Sequence, residues 1–93
     1  MTQTEPAMTD LEKTRKRLHF RAWHRGTKES DLILGRFADA YLADMSAEEL
    51  AQFGQILDRI DPELMDWITG LEPVPANLRS PVLDRLLAFR PSV

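Results

Sequence analysis

Apolar residues recur along most of this chain at intervals of three and four, the spacing of an α-helix with one buried face. Five such segments follow one another, separated by short polar, glycine or proline stretches, and none alternates as a β-strand would. The pattern therefore predicts an all-α fold, a compact five-helix bundle joined by short loops. We expect residues 1–9 to form a flexible N-terminal tail, residues 10–90 a single domain and residues 91–93 a C-terminal tail.

The first two helices are separated by a glycine turn. Asp10 is available as the N-cap of a helix over residues 11–23, and Gly26 readily takes the left-handed conformation found where helices end. A second helix is expected over residues 30–45, with Leu32 on the side opposite its buried face. The residues predicted to share that buried face are Leu34, Phe37, Ala38, Tyr41 and Met45.

The last three helices carry recognisable start signals. Ser46 begins the pattern Ser-Ala-Glu-Glu, a capping box in which the serine and the second glutamate satisfy each other's backbone N–H groups. Asp61 and Ser80 each precede a proline, as an N-cap does when proline takes the first helical position, and Gly70 is placed to end the fourth helix. The predicted buried stripes are Leu50, Phe53, Ile56, Leu57 and Ile60, then Leu64, Trp67, Ile68 and Leu71, then Val82, Leu83, Leu86, Leu87 and Phe89.

Charge is divided unevenly along the chain, although the net formal charge is only −3. Residues 13–28 contain seven lysines and arginines and no acid, whereas residues 29–72 contain eleven acids and two arginines. Three interpretations of the basic helix remain open: a solvated face, nucleic-acid binding, or docking onto an acidic or nucleotide-bearing protein surface. The acid excess disfavours nucleic acid because it would repel phosphates.

The basic helix also has a second apolar face, which carries Phe20 and Trp23. A helix that is apolar on two sides has more surface to bury than a small core can cover, so part of it is available to a partner. The pattern leaves open whether Trp23 and Leu32 pack in the core or lie at an interface.

Residue types leave little room for catalysis. The chain has no cysteine, which removes disulfides, thiolate metal sites and cysteine nucleophiles. His19 and His24 lie about 140° apart around a helix, with no carboxylate at contact spacing to complete a metal site. The serines at positions 30, 46 and 80 stand where helices begin, so capping accounts for them. We therefore assign no catalytic, metal or cofactor-binding residue and expect no enzyme activity.

The sequence also bears on location. No apolar stretch approaches the roughly 20 residues that span a bilayer, and residues 1–10 resemble neither a secretory signal nor a transit peptide. We expect a bacterial cytoplasmic protein, or one of the mitochondrial matrix if a presequence was removed.

Residues 25–29 read Arg-Gly-Thr-Lys-Glu and lie between the basic and acidic parts of the chain. By spacing alone they predict a corner between two helices with a charge pair between Arg25 and Glu29. They also match the R-G-x-x-E signature of the small succinate dehydrogenase flavinylation and assembly factors, which this chain resembles over residues 15–89. The resemblance extends to residues 17–20, 31–38, 58–68 and 73–76, although Ser30 stands where some members carry a hydrophobic residue.

This resemblance implies a five-helix assembly factor, or chaperone, that does no chemistry itself. It would bind the flavoprotein subunit of succinate dehydrogenase, with that of fumarate reductase as a further client, and promote covalent attachment of FAD. The FAD would belong to the client, with none bound stably here, and neither nucleic acid nor direct membrane insertion would be involved. The implied contact residues are Arg25, Gly26 and Glu29, with Arg17, Asp31, Leu32, Asp66 and Trp67 as further candidates. The alternatives are a generic helical protein-interaction adaptor and a basic-helix nucleic-acid binder.

Overall fold

The computed structural model describes residues 9–89, and within them it contains helices but no β-strand. Five α-helices are present: α1 (Asp10–Trp23), α2 (Lys28–Tyr41), α3 (Ala47–Leu57), α4 (Asp61–Thr69) and α5 (Pro81–Ala88). Two short 3₁₀ turns, Leu42–Asp44 and Ala76–Leu78, lie between them. The all-α, five-helix prediction is confirmed. Residues 1–8 of the predicted N-terminal tail, and residues 90–93, lie outside the described residues.

Helix α1 begins one residue earlier than predicted, because Thr9 rather than Asp10 is its N-cap. The Thr9 hydroxyl accepts a hydrogen bond from the Glu12 N–H at 3.1 Å, and the Glu12 carboxylate accepts one from the Thr9 N–H at 2.9 Å. This capping box satisfies backbone donors that the helix cannot satisfy itself. Asp10 instead lies in the first turn, where the helix dipole favours an acid.

Helix α2 is displaced toward the N-terminus relative to the prediction of residues 30–45. Thr27 is its N-cap and accepts a hydrogen bond from the Ser30 N–H at 3.3 Å, so Ser30 is not the capping serine that we expected. The helix ends at Tyr41, the chain tightens into a 3₁₀ turn, and Met45 has an extended backbone. Met45 nevertheless stays buried, as predicted.

Three of the remaining boundary predictions are confirmed and one is wrong. Ser46 forms the predicted capping box, the Ser80 hydroxyl caps α5, and Gly70 ends α4 with a φ of 82°. Asp61 is not the N-cap of α4, because Ile60 takes that position and Asp61 becomes the first helical residue. The Asp61 carboxylate is engaged by residues of another part of the chain, as described below.

One hydrophobic core joins all five helices. Helix α1 packs on α2 and α3, while α5 packs on α3 and α4. Within residues 9–89, no helix is long and apolar enough to cross a bilayer. The buried apolar side chains are Leu18, Ala22, Leu34, Phe37, Ala38, Leu42, Met45, Leu50, Phe53, Ile56, Leu57, Leu64, Trp67, Val82, Leu83 and Leu86.

Most of the predicted core positions are therefore correct. Tyr41, Ile68, Leu87 and Phe89 are partly buried against this core. Ile60 and Leu71 were predicted to be buried, but they are 68% and 72% exposed. The reason is that α3 and α4 end before their apolar stripes reach these two positions.

Trp23 packs face-on against α2 at Gly35. A Cβ atom added to Gly35 would overlap the indole ring, so the close approach of the two helices requires glycine here. The indole N–H also donates to the Asp39 carboxylate at 3.3 Å. Trp23 is only half-buried, so one part of its ring packs on α2 while another part reaches the surface.

Arg25 ties the connection between α1 and α2 to the junction between α3 and α4. Its guanidinium donates to the backbone carbonyls of Leu57 and Arg59, and its Nε donates to the Asp61 carboxylate at 2.9 Å. The predicted charge pair with Glu29 is wrong, because Asp61 is the acid that pairs with this side chain. A cation at the end of α3 also satisfies a carbonyl that the helix leaves unpaired.

Gly35→Ala is expected to destabilise the fold by roughly 1–3 kcal/mol, because the added methyl group displaces a rigid indole. Gly54→Ala is the matched control, since its new Cβ would lie 3.7 Å from the Leu18 side chain, an ordinary contact. It should stabilise the fold by about 0.5–1 kcal/mol through better helix propensity. Urea denaturation measures both changes, and equal effects would contradict the packing of Trp23 on Gly35.

Arg25→Met is expected to cost about 3–5 kcal/mol, because it leaves the Asp61 carboxylate without its cationic partner in a largely buried site. Arg21→Met is the control, since its pair with Asp58 spans 2.8 Å between side chains that are 37% and 69% exposed. Such an exposed pair contributes at most about 1 kcal/mol. Thermal unfolding followed by circular dichroism compares the two variants, and similar melting temperatures would contradict the role of Arg25 in tying the α1–α2 connection to the α3–α4 junction.

Candidate functional site

The connection between α1 and α2, residues 25–29, forms a corner whose backbone is fixed from within. The Asp31 carboxylate accepts a hydrogen bond from the Arg25 N–H at 2.6 Å and from the Gly26 N–H at 3.3 Å. Gly26 has a φ of 110°, a conformation that residues with side chains rarely adopt. A Cβ atom at Gly26 would meet nothing within 4 Å, so the backbone conformation, and not the space inside the chain, requires glycine.

Asp61 anchors this corner to α4. One carboxylate oxygen accepts from the Arg25 Nε, and the other accepts from the Ser30 hydroxyl at 2.9 Å. The Arg25 and Asp61 side chains are 9% and 18% exposed, and Ser30 is buried. The position after the signature glutamate therefore packs through a hydrogen bond to α4, where a hydrophobic residue would pack through apolar contact.

The corner presents a free carboxylate to solvent. Gly26, Lys28 and Glu29 are exposed, and the Glu29 carboxylate makes no hydrogen bond or ion pair with any residue between 9 and 89. Glu29 is the second residue of α2, where the helix dipole stabilises a negative charge. A carboxylate held this way can accept hydrogen bonds from a cationic or N–H group of a partner.

The other predicted contact residues are spread over three helices. Arg17 is exposed on α1, with its guanidinium 3.5 Å from the Thr14 hydroxyl, and Leu32 is half-buried on α2. Asp66 is half-buried on α4. Its neighbour Trp67 is 8% exposed and belongs to the core. The structure thus joins Arg25, Gly26 and Asp31 through hydrogen bonds but gives Arg17, Leu32 and Asp66 no such link to the corner.

Sequence reasoning missed the contribution of Asp61 to this site. Asp61 lies 36 positions from Arg25, so no helical spacing connects them. The one local signal was an acid before a proline, and that pattern favoured a helix cap. Ser30 was misread for the same reason, since a serine at a helix start is most simply explained as a cap.

A groove with a volume of about 630 Å³ lies beside the corner, along α1 where it faces α2. Phe20 and Trp23 line it, and the Phe20 ring stacks on His24 with 3.9 Å between ring centroids. The other histidine, His19, contacts the Asp39 carboxylate at 2.7 Å. Among the described residues, no group of three or more acids and histidines is placed to hold a metal ion.

The sequence matches known proteins over most of its length. A family described as "flavinator of succinate dehydrogenase" matches residues 16–90. The FAD assembly factor SdhE of Acetobacter pasteurianus is 44% identical over 81 residues, which cover 87% of this chain and 74% of that protein.

Mitochondrial proteins are also similar. Succinate dehydrogenase assembly factor 2 is 37% identical in Yarrowia lipolytica and 32% identical in Dictyostelium discoideum, over 83% and 82% of this chain. The aligned parts are 56% and 54% of those proteins, so the chain spans about half the length of these relatives. Because the family match covers most of its residues, the chain belongs to the flavinator of succinate dehydrogenase family.

Proposed function

We propose that this protein assists the assembly of succinate dehydrogenase by binding its flavoprotein subunit and promoting covalent attachment of FAD to that subunit. The observation that carries the proposal is the corner itself, in which a fixed backbone holds the unpartnered Glu29 carboxylate in solvent. The family match and the names of the relatives support the same role. The corresponding subunit of fumarate reductase is proposed as a second client.

We propose that the chemistry takes place in the client and that this chain binds no FAD stably. Its histidines have structural partners, since His19 contacts Asp39 and His24 contacts the Phe20 carbonyl. The protein acts by binding one conformation of the client more tightly than another, which shifts the population by that difference in affinity. Flavin absorbance retained by the purified chain alone would contradict this part of the proposal.

We further propose that the partner is a protein and not a nucleic acid. Two cations of the basic helical segment are already paired with carboxylates, Arg21 with Asp58 and Arg25 with Asp61, so fewer are available to neutralise phosphates. The protein would act where its client is assembled, in the bacterial cytoplasm or the mitochondrial matrix, without inserting into the membrane.

Glu29→Gln is expected to weaken binding to the purified flavoprotein subunit by about tenfold or more, because a charge-assisted hydrogen bond contributes roughly 1.5–3 kcal/mol. Glu48→Gln is the matched control, since Glu48 is also the exposed second residue of a helix, α3. Both variants lose the same helix-dipole stabilisation, so only the effect on the client should differ.

Binding is measured by calorimetry, and covalent flavin by in-gel fluorescence of the client in a deletion strain that carries each variant. We expect weak flavin fluorescence with Glu29→Gln and normal fluorescence with Glu48→Gln. Normal fluorescence with both variants would exclude Glu29 as the contact. Normal fluorescence in the deletion strain itself would exclude the proposed function.

Gly26→Ala is expected to cost about 1–3 kcal/mol of stability, because it forces a residue with a side chain into a positive-φ conformation. It is also expected to distort the backbone of the corner. Gly70→Ala is its control, since Gly70 has a φ of 82° and equally open surroundings. The two variants should lose similar stability in thermal unfolding, but only Gly26→Ala should weaken binding to the flavoprotein subunit. Equal binding by both variants would show that the corner backbone does not matter for recognition.

A further inference from the structure

The groove between α1 and α2 has an aromatic surface that remains exposed among residues 9–89. Phe20 is 61% exposed although it is a large apolar residue, and its ring is held flat against His24. Trp23 lines the same groove and is fixed by Gly35 beneath it and by its hydrogen bond to Asp39. Two pre-positioned aromatic rings lose little conformational entropy when they contact a partner, which favours binding.

Among residues 9–89, the lysine and arginine that line this groove outnumber its one acid. Lys16 lines the groove and makes no ion pair with any residue from 9 to 89. Arg15, also in the lining, donates to the Met45 carbonyl at 2.9 Å and forms no ion pair with a carboxylate, and its buried Nε has no acceptor among the described residues. The acid facing the groove, Asp39, has one carboxylate oxygen shared by two groups of α1. The groove therefore keeps a net positive charge.

The groove is continuous with the corner. Phe20 and His24 line both this groove and a smaller depression of about 180 Å³, whose lining also includes Arg21 and Arg25. The smaller depression thus connects the groove with the start of the corner at Arg25, so a partner seated on the corner can extend along α1 into the groove.

We propose that this groove docks an acidic segment of the client flavoprotein subunit, one in which an aromatic or aliphatic side chain lies next to a carboxylate. The apolar side chain packs on Phe20 and Trp23, and the carboxylate pairs with Lys16 and Arg15. The proposal rests on the proposed function and adds a second contact to it, separate from Glu29. Charged side chains at the edge of an interface, such as Lys16 here, speed the association of the two proteins and make it sensitive to salt.

The test measures the affinity of the purified flavoprotein subunit of succinate dehydrogenase for wild-type protein and for two groove variants. Phe20→Ala should weaken binding about tenfold, as expected when an aromatic anchor is removed. Lys16→Glu should weaken binding several-fold at low salt and reduce the dependence of affinity on salt. Both residues are exposed, so thermal unfolding should be unchanged.

Each groove variant has a matched control on another surface. Leu71→Ala removes an apolar side chain that is 72% exposed and lies after α4, and Lys13→Glu reverses an exposed α1 lysine that does not line the groove. Both should bind the client as the wild type does. If either control weakens binding as much as its groove variant, the effect is not specific and the proposal is overturned.

The remaining outcomes distinguish a failure of the groove proposal from a failure of the proposed function. If Glu29→Gln weakens binding and both groove variants bind normally, the groove is not a docking site and the function stands. If Phe20→Ala weakens binding and Lys16→Glu does not, the docked segment is not acidic and that part of the proposal fails. If sedimentation shows that Phe20→Ala disrupts a dimer of this chain without changing client affinity, the occupant is a second copy. If the wild type does not bind the subunit, both proposals fall.

Discussion

The arrangement of the bundle depends on one guanidinium, that of Arg25, which ties the α1–α2 connection to the α3–α4 junction. Helices α3 and α4 have 11 and 9 residues, lengths at which isolated helices are not stable, so tertiary contacts must hold them. Arg25 supplies such a contact by binding the Leu57 carbonyl at the end of α3, the Arg59 carbonyl in the α3–α4 connection and the Asp61 carboxylate at the start of α4. A planar fork with several fixed donors can do this, whereas a lysine ammonium on its flexible stem cannot match the geometry.

The same contacts of Arg25 explain why Arg25 and Glu29 have different roles within the signature at residues 25–29. The arginine points into the fold and the glutamate into solvent, although they lie only four positions apart. Gly26 supplies the backbone conformation between them, and Asp31 fixes it by accepting two backbone hydrogen bonds. Conformational freedom that is removed before binding does not have to be lost on binding, so a fixed corner presents its carboxylate at a lower entropic cost.

The structure also shows which of the unevenly distributed charges are paired within the fold. Part of the basic segment is neutralised across the bundle, because Arg21 and Arg25 reach acids of the α3–α4 region. On the groove side of α1, Arg15 and Lys16 form no ion pair with any acid among residues 9–89, although Asp39 lines the same groove. A sequence count of charges treats all these cations alike, whereas the structure separates Arg25, which is buried against Asp61, from exposed cations such as Lys16 that form no ion pair within residues 9–89.

The sequence by itself determined the helical class, most of the core and several helix ends, because periodicity, capping boxes and a left-handed glycine act over a few residues. It also located the signature turn. Only the tertiary structure decided that Arg25 pairs with Asp61, that Ser30 is buried, and that Ile60 and Leu71 are exposed. Pairing and burial at these positions depend on which distant segments pack together. Sequence spacing cannot tell whether a side chain such as Asp61 caps a helix or pairs with a distant residue. Packing selects between these roles, since a buried donor or acceptor without a partner is costly.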